Sequence, residues 1–315
     1  MMARKELGSF AYIFPGQGSQ FVGMGADLYK ESAAARAVFD EADDTLGAPL
    51  SKLCFAGDED ELRQTSNAQP AILATSVAAM RALADATGDE EASTPQFVAG
   101  HSLGEYTALV AAHSLSFAAA LRLVRERGRL MQEAGQVCEG GMAAILGLDD
   151  SMVELLCQQT GCEIANVNSD GQIVVSGPKA AMVQVLDLSR AMGARKAVPL
   201  VVSGAFHSSL MAPAVPGMKT ALGQASFARP QVPVISNCTA EPLAHENDIP
   251  IELVDQMCRC VQWSRSVSYM ARNGVKTFVE IGPGRVLTGL VKRIAKGAET
   301  ITIGDMAAVR WLAAG

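Results

Sequence analysis

The sequence predicts an α/β protein: a large α/β-hydrolase-like domain with a parallel sheet, interrupted by a small ferredoxin-like α+β unit. Three observations lead to it. Short apolar runs at residues 10–14, 97–99, 232–235 and 277–281 alternate with long helical patterns, as strands of a parallel sheet covered on both faces do. Residues 141–200 read instead as β-α-β-β-α-β. Hydrophobic content of 49% with only 5% aromatics suits a packed core of Ala, Val and Leu. At 315 residues the chain exceeds the size at which single cores tend to split. We therefore expect residues 1–140 and 201–315 to form the large domain, with 141–200 inserted as a unit of its own.

Taken in order, the apolar run 10–14 is a buried strand that opens into the Gly-rich segment Pro15-Gly16-Gln17-Gly18-Ser19-Gln20. A loop at the C-terminal end of a strand belongs to the active edge of a parallel sheet. Helical periodicity follows over 31–46 and 69–86, then the strand 97–99, then a helix over 116–134. The inserted unit reads as strand 142–146, helix 151–159, strand 162–167, a turn at Ser169-Asp170-Gly171, strand 173–176, helix 179–192 and strand 196–200. Strands 232–235 and 277–281 then resume the α/β pattern, so the mouth of the insert faces the edge carrying the loops.

Net charge of −7 argues against a nucleic-acid surface, and no basic run is long enough to reverse it. The seven cysteines at 54, 138, 157, 162, 238, 258 and 260 form no C-x-x-C pair and mostly sit in apolar stretches. Reduced core thiols and a cytoplasmic location are the expectation. Cys258-Arg259-Cys260 has no histidine cluster beside it, so no metal site is expected. The first six residues carry two cations, yet the apolar run after them is five residues long before Pro15, a strand and not a signal peptide. No window approaches the ~18 uninterrupted apolar residues of a membrane span. A monomer without membrane contact is expected.

The most informative run is Gly100-His101-Ser102-Leu103-Gly104-Glu105-Tyr106, which places a serine between two glycines where a strand gives way to a helix. That is a nucleophile elbow: the glycines clear a sharp turn, the hydroxyl stands at the strand's end, and the helix N-terminus offers amides to a developing oxyanion. A serine hydroxyl needs a base. Of four histidines, His101 adjoins the serine, His113 ends the following helix and His245 lies in a polar run, which leaves His207 as the best candidate. A helix-capping or core histidine is the plainer alternative. On the helix 116–134, a 100° step places Ala120, Leu123, Leu130, Met131 and Ala134 within about 60° of Arg127, while Arg122, Arg125 and Arg129 fall on the opposite face. An arginine in an apolar stripe needs a buried anionic partner: an internal carboxylate, or a substrate carboxylate held bidentately.

Gly16-Gln17-Gly18-Ser19-Gln20, the elbow, Arg127-Gly128, Ala205-Phe206-His207 and Phe278-Val279-Glu280-Ile281-Gly282-Pro283-Gly284 together resemble, in order and across the chain, the malonyl-CoA:acyl carrier protein transacylases. The resemblance implies transfer of malonyl from malonyl-CoA, through a malonyl-serine, to the phosphopantetheine thiol of acyl carrier protein, with no bound cofactor. It implies Ser102 as nucleophile, His207 as base and acid, Arg127 as the clamp on the malonyl carboxylate, and the backbone amides of Gln17 and Leu103 as the oxyanion hole. Gln256 matches the position whose backbone carbonyl orients the histidine. Asn166 and Asn168 match positions lining the site, a turn-capping role being equally open, and Phe206 matches the malonyl-selective members. Two departures stand out: Cys260 where a proline is usual, and Gly204 where bulkier residues are common. A discrete polyketide acyltransferase or a malonate-decarboxylase loading subunit would use the same residues. A serine thioesterase or other hydrolase would leave Arg127 without a task, and a silent docking subunit would need none of the set.

Overall fold

The computed structural model describes residues 8–88 and 94–314. The basic start at residues 1–6 lies outside the described residues. Among the described residues nine strands form two sheets: β1 (Phe10–Phe14), β2 (Phe97–Gly100), β3 (Gly140–Leu146), β4 (Glu163–Ser169), β5 (Gln172–Pro178), β6 (Lys196–Pro199), β7 (Val234–Ile235), β8 (Thr277–Ile281) and β9 (Glu299–Ile303). The larger sheet runs β7-β2-β1-β8-β9 with every pair parallel.

All five residues of β1 are buried, as a strand covered on both faces requires. Phe10, Tyr12 and Phe14 join the core that packs against helices Thr65–Thr87 and Phe117–Val137. Ala11 and Ile13, one step out of phase, join a second core with Trp263, Val267 and Leu290. Parallel pairing puts the C-terminal ends of β1, β2 and β8 side by side, so the loops after Phe14, Gly100 and Ile281 share one edge.

The smaller sheet runs β4-β5-β3-β6 with every pair antiparallel, the order a ferredoxin-like unit demands. Val153, Leu156 and Val185 of its two helices pack on Ile145, Ile173 and Val175. Its β4 is tied to the large unit: the Val261 amide donates to the Ala165 carbonyl and the Val167 amide to the Val261 carbonyl, both at 2.9 Å. Val261 follows the helix Asp248–Cys258, which carries Gln256.

Several element boundaries differ from the sequence expectation, each for a local reason. The helix expected over 31–46 begins at Ala33, because Ser32 is extended and its hydroxyl accepts from the Ala35 amide, and a separate short helix, Ala26–Glu31, precedes it. The helix expected from residue 69 begins at Thr65 and carries Pro70 within its second turn. β4 runs through Ser169, leaving a two-residue turn with Gly171 at φ 65°. β7 is only two residues long, and β9 at the far edge has no counterpart in the expectation.

Candidate active site

Ser102 follows β2 with φ of 52°, a strained conformation for a residue with a side chain. The turn is tight enough that a Cβ on Gly100 would lie 1.8 Å from the Gly104 carbonyl carbon. A Cβ on Gly16 would meet the His101 carbonyl oxygen at 2.4 Å, so glycine there lets the Gln17 loop press onto the elbow. The strained backbone is held on both sides. The Ser102 amide donates to Asn237 Oδ1 at 2.7 Å, and Gln256 Nε2 donates to the Ser102 carbonyl at 2.9 Å.

His207, itself at φ 59°, starts the segment that leads into the 3-10 turn Ser209–Ala214. Its Nδ1 donates to the Gln256 carbonyl at 2.6 Å, which leaves Nε2 as the acceptor facing Ser102 Oγ at 2.8 Å. Burial foremost, then the charge of Arg127, push the imidazole down from 6.5 to about 3, against the pull of the Gln256 carbonyl. The ring is a neutral base, the form in which it can take the serine proton.

Arg127 is buried with Ala120, Leu123, Leu130, Met131 and Ala134, as the helical stripe requires. Among the described residues no carboxylate contacts it directly, which counts against the first of the two alternatives, an internal ion pair. Two amides hold it: Nη1 donates to Gln69 Oε1 at 2.8 Å and Nη2 to Gln256 Oε1 at 2.7 Å. The same Nη2 donates to Ser102 Oγ at 3.2 Å, and among the described residues Nε has no partner. The Tyr106 ring lies 5.7 Å from the guanidinium carbon. A buried cation ringed by neutral groups and touching the nucleophile suits an incoming carboxylate.

Among the described residues the backbone amides of Gln17 and Leu103 donate to no protein acceptor. The Gln17 side chain is fixed sideways, donating to Thr65 Oγ1 at 3.2 Å, which in turn pairs with Ser203 Oγ at 2.9 Å. Asn168 Oδ1 lies 2.8 Å from His101 Nε2, and the His101 ring packs against Trp263 with centroids 5.6 Å apart. Asn166 is buried on β4 and bridges to Val261. Phe206 is buried in the main core, its ring edge 3.5 Å from where a Cβ on Gly204 would stand, an ordinary contact. Cys260 Sγ donates to the Val261 carbonyl at 3.7 Å, and with this departure from proline the Gln256 carbonyl still accepts from His207. Among the described residues no cluster of metal-ligating side chains is present.

The structure thus brings Ser102, His207, Arg127 and Gln256 together, sets Gln17 and Leu103 at the same edge, and connects Asn168 to the elbow through His101. Four participants escaped the sequence reading: Gln69, Asn237, Glu105 and the side chain of Gln256. Gln69 had a signal, a lone amide opening the apolar run Pro70-Ala71-Ile72-Leu73. Asn237 had none, because its contacts are 135 residues away in the chain.

A serine paired to an oriented histidine at an elbow over a parallel sheet defines the class of serine acyl-transfer enzymes, hydrolases included. The acyl transferase domain family matches residues 11–308. A malonyl CoA-acyl carrier protein transacylase of Bacillus subtilis (strain 168) is 45% identical over 95% of this chain and 94% of its own, and one of Escherichia coli (strain K12) is 43% identical over 90% and 92%. An acyl-carrier-protein S-malonyltransferase from Bartonella henselae superposes with TM-score 0.93 at 43% identity, covering 96% of this chain and 98% of that one. A malonyl-transacylase solved in complex with its type II polyketide acyl-carrier protein superposes with TM-score 0.91 at 40% identity, covering 96% and 98%. The chain belongs to the malonyl-CoA–acyl carrier protein transacylase family.

Proposed function

We propose that this chain transfers a malonyl group from malonyl-CoA to the phosphopantetheine thiol of an acyl carrier protein in two half-reactions. In the first, His207 Nε2 takes the Ser102 hydroxyl proton as Oγ attacks the thioester carbonyl. The Gln17 and Leu103 amides donate to the developing oxyanion, and CoA leaves as the thiol, its sulfur taking the proton from Nε2 and so freeing the ring for the second half-reaction. In the second, the carrier thiol gives its proton to Nε2 and attacks the malonyl ester, and Ser102 Oγ leaves and recovers the proton. Arg127 holds the free malonyl carboxylate, Phe206 limits the space at the malonyl α-carbon, and Asn166 and Asn168 support the site wall.

The observation that carries this reading is Arg127 Nη2 at 3.2 Å from the same oxygen that His207 activates. A hydrolase has no use for a cation there. The relatives named above are called by this activity, which supports malonyl transfer over hydrolysis. We place the reaction in the supply of extender units for fatty-acid synthesis. The second reading, a polyketide acyltransferase, is favoured by the likeness to the enzyme caught with a polyketide carrier. We further propose a cytoplasmic monomer with no metal or other resident cofactor, organised as 1–140 with 201–315 around 141–200. All seven cysteines are free, which fits a reducing compartment. No helix among the described residues is long and apolar enough to cross a membrane.

The test is intact-mass analysis after malonyl-CoA, before and after addition of phosphopantetheinylated carrier protein. We expect a malonyl adduct on Ser102 that is lost to the carrier. Labelling of Ser102→Ala, or hydrolysis faster than transfer, would overturn it.

A further inference from the structure

Glu105 sits at the first turn of the helix Gly104–Ala111, three residues past the nucleophile and with no solvent exposure. Nothing in the chemistry above uses it. Its two carboxylate oxygens nevertheless face two N–H donors: the Asn237 amide donates to Oε1 at 3.0 Å, and Gln256 Nε2 donates to Oε2. Each donor belongs to a residue that grips the reacting groups. Asn237 Oδ1 accepts from the Ser102 amide, and its Nδ2 donates to the Gly100 carbonyl at 2.7 Å. Gln256 holds the Ser102 carbonyl through Nε2, His207 through its backbone carbonyl and Arg127 through Oε1.

The orientation of the Gln256 amide decides what Arg127 meets. Because a carboxylate only accepts, Glu105 turns Nε2 toward itself and Oε1 toward the guanidinium. Arg127 and Glu105 are therefore opposite charges joined by one amide, a cation and its counter-charge kept apart. A direct ion pair would occupy the fork of the guanidinium, whereas a relayed one leaves it for a substrate carboxylate.

We propose that Glu105 is a positioning residue: through Gln256 and Asn237 it sets the backbone of Ser102, the ring of His207 and the guanidinium of Arg127 in one arrangement, and it supplies the relayed counter-charge of the acyl-carboxylate clamp. This rests on the transacylase reading. Burial, and next the neighbouring Glu252, push this carboxyl well above the usual carboxylate range, while its two N–H donors and Arg127 favour the ionised form. Each oxygen accepts one N–H, the arrangement that a carboxylate satisfies at both ends. A neutral amide of the same shape can satisfy only one of the two N–H groups.

Glu105→Gln is the discriminating variant. Either its own NH2 meets the Asn237 amide, donor against donor, or it meets Gln256, whose amide then flips and turns Nε2 against Arg127. The full chain should be assayed for self-acylation from malonyl-CoA and acetyl-CoA, with kcat and KM for each, beside the thermal midpoint. We expect kcat to fall at least about tenfold for both donors through misalignment of the dyad, and the malonyl-to-acetyl ratio of kcat/KM to fall by a further factor of roughly ten, the loss of about one charged hydrogen bond. Combined with Arg127→Lys, the substitution should add nothing to the loss of that ratio, since both act on one contact. Full additivity, or Glu105→Gln with the parent's kcat and ratio, would overturn the proposal even if its midpoint dropped. Should Glu105→Gln not fold, Glu105→Asp keeps the charge and shortens the reach. An unchanged ratio in Glu105→Asp would support the counter-charge, and a ratio as low as that of Arg127→Lys would overturn it. Failure of the parent protein to take up malonyl would sink the transacylase reading instead, a result visible before any variant is made.

Discussion

Replacing Arg127 with alanine separates a clamp from a structural cation. The guanidinium makes three side-chain contacts, to Gln69 at 2.8 Å, Gln256 at 2.7 Å and Ser102 Oγ at 3.2 Å, so its removal loosens the site for every acyl donor. That general loss is common to malonyl and acetyl. What differs is the substrate carboxylate: only malonyl forfeits a charge-assisted, two-point contact, which costs about 2–4 kcal/mol, or roughly 30- to 1000-fold in kcat/KM. A second effect acts in the opposite direction. Arg127 is one of the causes that lower the His207 imidazole, so its removal raises the basicity of the ring and offsets part of the general loss for both donors alike. The assay is kcat/KM for malonyl-CoA and acetyl-CoA with a fixed carrier protein, read as their ratio. Arg127→Lys should recover little, because an ammonium cannot reproduce the planar fork. Equal losses for the two donors would show that Arg127 is structural and refute the clamp.

With His207 lowered to about 3, self-acylation should persist as the pH falls through 6.5, where an ordinary histidine would protonate, and a rate profile that halves near 6.5 would contradict it. The same shift makes folding pH-dependent with a definite sign: the unfolded state binds the proton first, so this contribution to stability is complete above about 6.5 and is lost as the pH falls toward 3. His207→Gln should therefore show a shallower decline of the urea midpoint across that window. Gly100→Ala would place a Cβ 1.8 Å from backbone, and we expect loss of at least about 3 kcal/mol or of soluble protein; a stable, active variant would contradict the elbow geometry. Phe206 should give malonyl only a partial preference over methylmalonyl, about 1–3 kcal/mol, and competition between the two CoA esters showing the reverse preference would contradict that role. Two cationic clusters, Arg190 with Arg195 and Lys196, and Arg285 with Lys292, Arg293 and Lys296, are proposed to dock the carrier protein. Arg190 already pairs with Asp187 at 3.2 Å, and Arg293 reaches across to Gln172 on the small unit. Charge reversal at Arg190 and Arg285 should raise the KM for carrier at low salt without affecting self-acylation, and unchanged carrier kinetics would remove both clusters.

The parts of the site legible in the sequence are those whose chemistry is written locally. A serine between glycines at a strand end and an arginine on an apolar stripe each carry their signal within one or two helical turns, and His207 was left by elimination among four histidines. The α/β alternation and the β-α-β-β-α-β insert were legible for the same reason, because hydrophobic period records which faces are buried. Strand β7, two residues long, and β9 at the sheet edge left too short or too weak a pattern to delimit. Ser32, which sets the start of the helix Ala33–Leu46, acts through an extended backbone that periodicity does not report.

Charge partners were another matter. The sequence on its own determined that Arg127 is buried and must be compensated. It also determined that Ser102 stands at a turn. Which group compensates Arg127 was decided only in three dimensions, where Gln69, 58 residues away, and Gln256, 129 residues away, meet the guanidinium and Glu105 stands behind the second amide. Gln256 serves through its backbone carbonyl as well as its side chain, and a carbonyl is present at every residue, so no sequence pattern marks the one that matters. The physical reason is general: burial is set by local amphipathic pattern, while hydrogen-bond satisfaction inside a core is settled by whichever donors and acceptors the packed layers bring within 3 Å.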